Sequence, residues 1–136
     1  MRIGNIAKSG LLAAVLTGAC ATMDESKDWV DIKDPNELRA IYSDKTLNGY
    51  VTFDFSRPWV LYSRADGKGV IHFDGRQYDM TWEVSSDDQV CTKRPGNSTC
   101  YRFQKHRTRP GVYRAYNLST QQYGGEITVQ NGIPKS

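Results

Sequence analysis

The sequence predicts a mainly β fold, a small antiparallel β-barrel or sandwich of roughly six to eight strands preceded by one short α-helix. Beyond residue 49, apolar and polar residues alternate in short runs, and turn-forming residues separate these runs about every 8–12 residues. The composition agrees, because 12 glycines and 11% aromatic residues suit a small β-rich protein. A barrel is slightly favoured over a sandwich, because closure removes exposed strand edges.

The first 19 residues are predicted to be a signal peptide. Arg2 and Lys8 precede a short apolar run at residues 11–16, and small residues follow up to Cys20. This order is typical of a bacterial lipoprotein, in which the peptidase cuts before a cysteine and the thiol carries the lipid. Cys20 is therefore the predicted lipidation site. Alternatively, residues 19–21 form an ordinary A-x-A cleavage site, and cleavage there discards the cysteine.

The anchor predicts an exported protein that its lipid holds in the outer membrane, facing the periplasm; a soluble periplasmic or secreted protein is the alternative. Residues 20–33 are predicted to be the lipidated cysteine and a flexible tether, since most of them are polar. Trp29 and Ile32 are the strong hydrophobes of this segment and are expected to pack on the domain. Residues 34–136 are predicted to form a single β-rich domain, because their number suits one modest core.

The predicted helix begins at a well-marked start. Asp34 is a capping residue, Pro35 occupies the first helical position, and Glu37 follows three residues after the cap. Leu38 and Ile41 then place apolar side chains at helical spacing. The helix is expected to end near residues 43–44.

Strands follow from residue 49 to the end of the chain. The clearest one covers residues 78–84, in which apolar and polar residues alternate strictly. Asp66 and Gly67 mark a tight hairpin turn, since this pair tolerates the positive φ angles that such turns require. The inward strand face is predicted to include Phe53, Met80, Trp82 and Val84.

The cysteines predict one disulfide. Cys20 is either lipidated or removed with the signal peptide, so it has no free thiol in the mature protein. Cys91 and Cys100 are then the two remaining cysteines, and in an oxidising compartment they are expected to pair. Closing this loop is expected to stabilise the fold by roughly 2.5–3 kcal/mol. A metal site is not expected, because the spacing is too wide for a C-x-x-C knuckle and a second ligand pair is missing.

Several segments in a fixed order resemble a known family. These segments are the helix at residues 37–46 leading into a strand at Gly49, the Asp66–Gly67 turn, the strand at residues 81–84, and Cys91 with Cys100 after a basic loop. The order is similar to the domain of unknown function 995 family, small exported proteins mostly from alphaproteobacteria. The resemblance covers roughly residues 35–130. It implies export and a compact β-rich domain, and it implies no activity.

Sequence motifs for catalysis are lacking. His72 and Asp74 stand two residues apart on a predicted strand and could form a base dyad, but no nucleophile motif accompanies them. The chain carries no Walker loop, dinucleotide fingerprint or zinc motif. We therefore expect no enzyme activity and no cofactor.

Charge is distributed unevenly along the chain. Residues 89–125 hold seven basic residues and no acidic one, whereas residues 20–88 hold eight basic and fourteen acidic residues. The seven are predicted to form one exposed face that contacts an anionic envelope component: Lys93, Arg94, Arg102, Lys105, Arg107, Arg109 and Arg114. Alternatively, neighbouring strands pair acidic with basic residues and the field largely cancels. Nucleic acid is not an expected partner of an exported protein.

Three functions fit this sequence. The first is a non-catalytic envelope lipoprotein whose β-domain binds lipopolysaccharide, peptidoglycan or an envelope protein. The second is a lipocalin-like barrel that encloses a small apolar ligand, and the third is an inhibitor of a hydrolase such as lysozyme. Interior volume separates the first two, because a filled core leaves no room for a ligand. The candidates for filling it are Phe53, Trp59, Phe73, Trp82 and Phe103.

Overall fold

The computed structural model describes residues 25–51 and 54–134. The predicted signal peptide, Cys20 and Phe53 lie outside these residues. Within them the chain forms a 3₁₀ turn (Glu25–Asp28), one α-helix, α1 (Pro35–Tyr42), and ten strands. The strands are β1 (Trp29–Asp31), β2 (Lys45–Val51), β3 (Asp54–Ser63), β4 (Lys68–Phe73), β5 (Arg76–Ser85), β6 (Gln89–Arg94), β7 (Asn97–His106), β8 (Val112–Asn117), β9 (Gln122–Tyr123) and β10 (Ile127–Asn131).

Eight of these strands close into an antiparallel barrel. The order around the barrel is β7-β6-β5-β4-β3-β2-β10-β8, and β8 pairs with β7 to complete the circle. The two remaining strands are short additions, β1 on β7 and β9 on β8. The predicted mainly β fold with one preceding helix is therefore confirmed, and of the two predicted architectures the barrel is the one adopted.

Helix α1 covers one end of the barrel. The side chain of Asp34 caps it by accepting a hydrogen bond from the Asn36 backbone N–H (2.9 Å), as the sequence predicted. The helix leads within two residues into β2, and Glu37 contacts Lys105 near the end of β7. The helix therefore lies across the end at which β2 begins and β7 ends. Its buried side chains, Leu38, Ile41 and Tyr42, extend the core into this end.

Strand β5 shows the predicted register. Met80 and Trp82 are 7% and 8% exposed, and Val84 packs against the same core. Asp79 and Glu83, which alternate with them, are exposed. This confirms the inward face predicted for Met80, Trp82 and Val84.

The folded domain begins before residue 34, the start that was predicted from the polar composition of residues 20–33. Trp29–Asp31 pairs with β7, and Ile32, 3% exposed, donates a backbone hydrogen bond to the Phe103 carbonyl (3.0 Å). The predicted tether, residues 20–33, is therefore too long at its C-terminal end. Sheet pairing explains this, because β6 pairs with β7 only over Asn97–Tyr101, and β1 covers the edge that is left free at the last residues of β7.

The predicted disulfide is present. Cys91 and Cys100 lie directly opposite each other on β6 and β7, with their Cα atoms 4.0 Å apart. Both side chains lie on the outer face of the barrel. The neighbouring Val90 is fully buried, and successive strand residues point to opposite faces. Among the described residues, no helix is long and apolar enough to cross a membrane.

A candidate ligand cavity in the barrel

The barrel interior contains a cavity of about 270 Å³. It lies beyond the core layer that α1 covers, and Tyr42, Phe103 and Ala115 form its floor. Phe103 is 2% exposed and Ala115 is 7% exposed, so solvent does not reach the cavity from the helix end. The other end of the barrel, where β6 and β8 end, carries exposed lining residues and forms the mouth.

Apolar side chains from four adjacent strands form most of the wall. Leu61 lies opposite Ile71 across β3 and β4, and Trp59 lies opposite Phe73 in the same ladder. Trp59, Phe73 and Phe103, which the sequence offered as core-filling residues, therefore surround the space and do not fill it.

Small residues at inward positions help to explain the open volume. Ala115 lies opposite Phe103, so a large side chain faces a small one across this ladder. Gly124 and Gly125 line the same space. Glycine and alanine at inward strand positions were the sequence signal that could have indicated a cavity.

Polar groups gather at the mouth. Along the inner face of β6, the fully buried Val90 is followed by Thr92 and then Arg94. Tyr101 on β7 lies opposite Asn117 on β8, and both line the cavity beside them. The wall therefore changes from apolar to cationic between the floor and the mouth.

Tyr101 is half-buried beside the mouth. Burial raises the pKa of its phenol, while the positive charge of Arg94 and hydrogen bonding with Thr99 and Thr92 act in the opposite direction. Its hydroxyl is therefore protonated at neutral pH, and it lies at the edge of the cavity.

Arg94 supplies the positive charge at the mouth. It ends β6 just before the tight turn at Pro95 and Gly96, where φ is +76° at the glycine. The guanidinium is solvent-exposed, and no carboxylate among the described residues forms an ion pair with it. A cation without an internal partner is free to bind a ligand group.

Two members of the predicted basic face form ion pairs with carboxylates. Nζ of Lys105 lies 2.6 Å from Oε2 of Glu37, and Arg109 contacts Glu126. The hydrogen bond with Glu37, followed by its negative charge, raises the pKa of Lys105. None of these four residues lines the cavity.

Arg114 lies in an aromatic setting on the outer surface. Its guanidinium carbon is 4.7 Å from the ring centre of Trp29 and 4.1 Å from that of Tyr123. Its Nε donates a hydrogen bond to Gln104 (2.7 Å), which in turn donates to Asp31 (2.7 Å). These contacts join β1, β7, β8 and β9, so Arg114 has a structural role.

The remaining basic residues are dispersed. Arg107 donates to the Lys27 backbone carbonyl (2.6 Å), Arg102 is exposed on the outer face of β7, and Lys93 precedes Arg94 on the opposite face of β6. Successive strand residues point to opposite faces. Lys93 and Arg94 therefore lie on opposite faces of β6, so the seven basic residues do not all share one strand face, and their contact with an anionic envelope component stays a prediction.

The suggested His72–Asp74 dyad is not formed. Asp74 pairs with Arg57 (2.9 Å), whereas the His72 ring packs against Tyr62 with its centre 5.1 Å away. Within the part of the chain that the structure describes, no three His, Cys, Asp or Glu side chains are grouped as metal ligands would be.

No protein-family profile, curated protein or solved structure matches this chain. The resemblance to the domain of unknown function 995 family therefore stays a prediction.

Proposed function

We propose that the protein is an exported, non-catalytic binding protein whose barrel encloses the apolar part of a small ligand. The observation that carries this proposal is the cavity of about 270 Å³, which α1 closes at one end. An apolar cavity of about 150 Å³ takes up benzene, so the barrel has room for a larger molecule. Of the functions that the sequence suggested, enclosure of a ligand has the most support.

Binding of an anionic envelope polymer through the basic residues has less support. Lys105 and Arg109 already pair with carboxylates, and Arg114 is held between two aromatic rings. Exposed pairs of this kind contribute little to stability, but they reduce the net positive field that a polymer would meet. A contact with lipopolysaccharide or peptidoglycan remains a prediction that these distances do not favour.

A test of the proposal uses the protein from residue 20 onward, with Cys20 replaced by serine. Octan-1-ol is the ligand, because it is uncharged and small enough for the cavity. Calorimetric titration is expected to give one bound molecule per chain. Ala115→Leu places a larger side chain on the cavity floor and is expected to weaken binding by about tenfold or more, since each excluded methylene contributes about 0.8 kcal/mol.

The matched control is Thr128→Leu, which adds a leucine at an exposed position of β10. It is expected to bind octan-1-ol like the unmodified protein. Thermal unfolding of Ala115→Leu at or above the normal temperature verifies that the variant is folded. Absence of octan-1-ol binding in the unmodified protein, or equal binding in both variants, would contradict the proposal.

We further propose that a lipid on Cys20 anchors the barrel in the outer membrane, facing the periplasm. The Cys91–Cys100 disulfide supports export, since such bonds persist in oxidising compartments. Metabolic labelling of producing cells with a fatty-acid analogue tests the anchor. The unmodified protein is expected to be labelled and Cys20→Ser unlabelled; an unlabelled protein released from the membrane would contradict the lipid anchor.

A further inference from the structure

We infer that the ligand is an anionic amphiphile, an acyl chain with a carboxylate head group that binds Arg94 at the mouth of the barrel. The inference rests on the proposed function, because it needs the cavity to be occupied. It adds the chemical class of the ligand and the orientation in which it enters.

The lining of the cavity carries a net positive charge. Among the described residues that line the cavity there are two cations, Lys93 and Arg94, and no Asp or Glu. Lys93 belongs to the outward alternation of β6, so Arg94 is the cation on the inner face. The cavity therefore favours a negative over a positive head group.

The charged group and the apolar contacts lie at opposite ends of the cavity. Phe103 and Ala115 offer the deep end of the cavity apolar contacts, and Arg94 stands at its outer end. A ligand that matches this order is apolar at its inner end and charged at its outer end. A charge buried at the floor would lack a partner of opposite charge and cost several kcal/mol.

Other hydrogen-bond donors line the mouth together with Arg94. The Asn117 side-chain oxygen accepts from the backbone N–H groups of Ser119 (2.8 Å) and Thr120 (3.2 Å). The NH₂ group of the Asn117 amide can therefore donate a hydrogen bond to a ligand. With the Tyr101 hydroxyl and the Arg94 guanidinium, three kinds of donor line the mouth. A carboxylate, which only accepts hydrogen bonds, fits such a set.

The cavity volume limits the chain length. If about 150 Å³ takes the six carbons of benzene, about 270 Å³ takes about ten carbon atoms. A medium-length acyl chain therefore fits with its head group at the mouth, whereas a two-chain lipid does not fit entirely inside. Octanoate is within this limit and is soluble enough to titrate.

The test compares three ligands that share an eight-carbon chain: octanoate, octan-1-ol and octyltrimethylammonium. Octanoate is expected to bind the unmodified protein about tenfold or more tightly than octan-1-ol, since hydrogen bonds to charged groups are the stronger ones. Octyltrimethylammonium is expected to bind most weakly. Added salt is expected to reduce the advantage of octanoate and to leave octan-1-ol unaffected.

Two neighbouring substitutions identify the residue that binds the head group. Arg94→Gln is expected to weaken octanoate about tenfold and to leave octan-1-ol binding unchanged. Lys93→Gln removes the same charge one residue away, on the opposite strand face, and is expected to have a much smaller effect. Arg94→Lys is expected to restore part of the octanoate affinity. Thermal unfolding of all three variants verifies the fold.

The outcomes separate the inference from the proposed function. If octanoate and octan-1-ol bind equally well, the anionic ligand class is overturned and ligand enclosure stands. If Arg94→Gln weakens both ligands equally, Arg94 shapes the mouth without binding the head group, and the inference is likewise overturned. If neither ligand binds, the proposed function fails and the inference fails with it.

Discussion

The indole of Trp59 packs against Gly49, the residue directly opposite it in the ladder between β2 and β3. A Cβ atom placed on Gly49 would lie 2.7 Å from Cε2 of Trp59, closer than real Cβ contacts allow. The indole N–H donates a hydrogen bond to the Tyr50 carbonyl (3.2 Å). The missing side chain of Gly49 thus lets the indole lie against β2, where it forms part of the cavity wall.

Gly49→Ala is expected to destabilise the protein by about 1–3 kcal/mol, the usual cost of overpacking. The added methyl group overlaps the indole, which must move and strain its hydrogen bond to the Tyr50 carbonyl. Urea unfolding measures the loss. In a Trp59→Leu background the same alanine is expected to cost much less; an equal cost in both backgrounds would mean that the indole is not the cause.

Replacing both disulfide cysteines, Cys91→Ser with Cys100→Ser, is expected to lower the free energy of unfolding by about 2–3 kcal/mol. The bond closes a short loop, with nine residues of sequence separation, and restricts the unfolded chain. Urea unfolding of both proteins is compared with and without a reductant. The reductant is expected to destabilise the unmodified protein and to leave the double variant unchanged. Equal stability of the two oxidised proteins would show that the bond contributes nothing.

The alternation of apolar and polar residues was sufficient to predict the β class of the fold and the register of its clearest strand. In β5 the alternation of Met80 and Trp82 with Asp79 and Glu83 sets the register, because a shift by one residue would turn every apolar side chain outward. The start of the helix is also determined by neighbouring residues, since the Asp34 side chain accepts its capping hydrogen bond from the backbone N–H of Asn36, two residues later. Periodicity does not determine barrel closure, because closure depends on the pairing of β7 with β8 and of β2 with β10.

The cavity and the partners of the basic residues could not be read from local sequence. Lys105 pairs with Glu37, 68 residues away, and the pairing exists only because α1 lies across the end of β7. Likewise, Phe103 forms the cavity floor without filling the interior because its partner across the ladder is Ala115. Both features follow from contacts between distant segments, which strand periodicity does not encode.

The buried phenol of Tyr42 makes stability depend on pH in the alkaline range. Tyr42 is 4% exposed, with its ring centre 5.3 Å from that of Trp82 and 5.9 Å from that of Phe103. Burial raises its pKa far above the ordinary value, and the nearby Tyr101 raises it further. The folded state therefore retains the proton to a higher pH than the unfolded state does.

Because the folded pKa is the higher one, the contribution of Tyr42 is fully present below about pH 10 and is lost as the pH rises through the folded pKa. At pH 11 this one group is expected to lower the free energy of unfolding by about 1.4 kcal/mol relative to pH 8. Urea unfolding at both values measures the change, to which Tyr101 and Tyr113 also contribute, since burial raises their pKa values as well.

In Tyr42→Phe the loss of stability between pH 8 and pH 11 is expected to be smaller by about 1.4 kcal/mol, because the phenol that ionises in the unfolded chain is gone. The matched control is Tyr123→Phe, on the outer surface and 42% exposed, which is expected to keep the pH dependence of the unmodified protein. The comparison uses the difference between the two pH values, so a change in overall stability from the missing hydroxyl cancels. A Tyr42→Phe protein that loses as much stability as the unmodified one would show that this phenol ionises as readily in the folded barrel as in the unfolded chain.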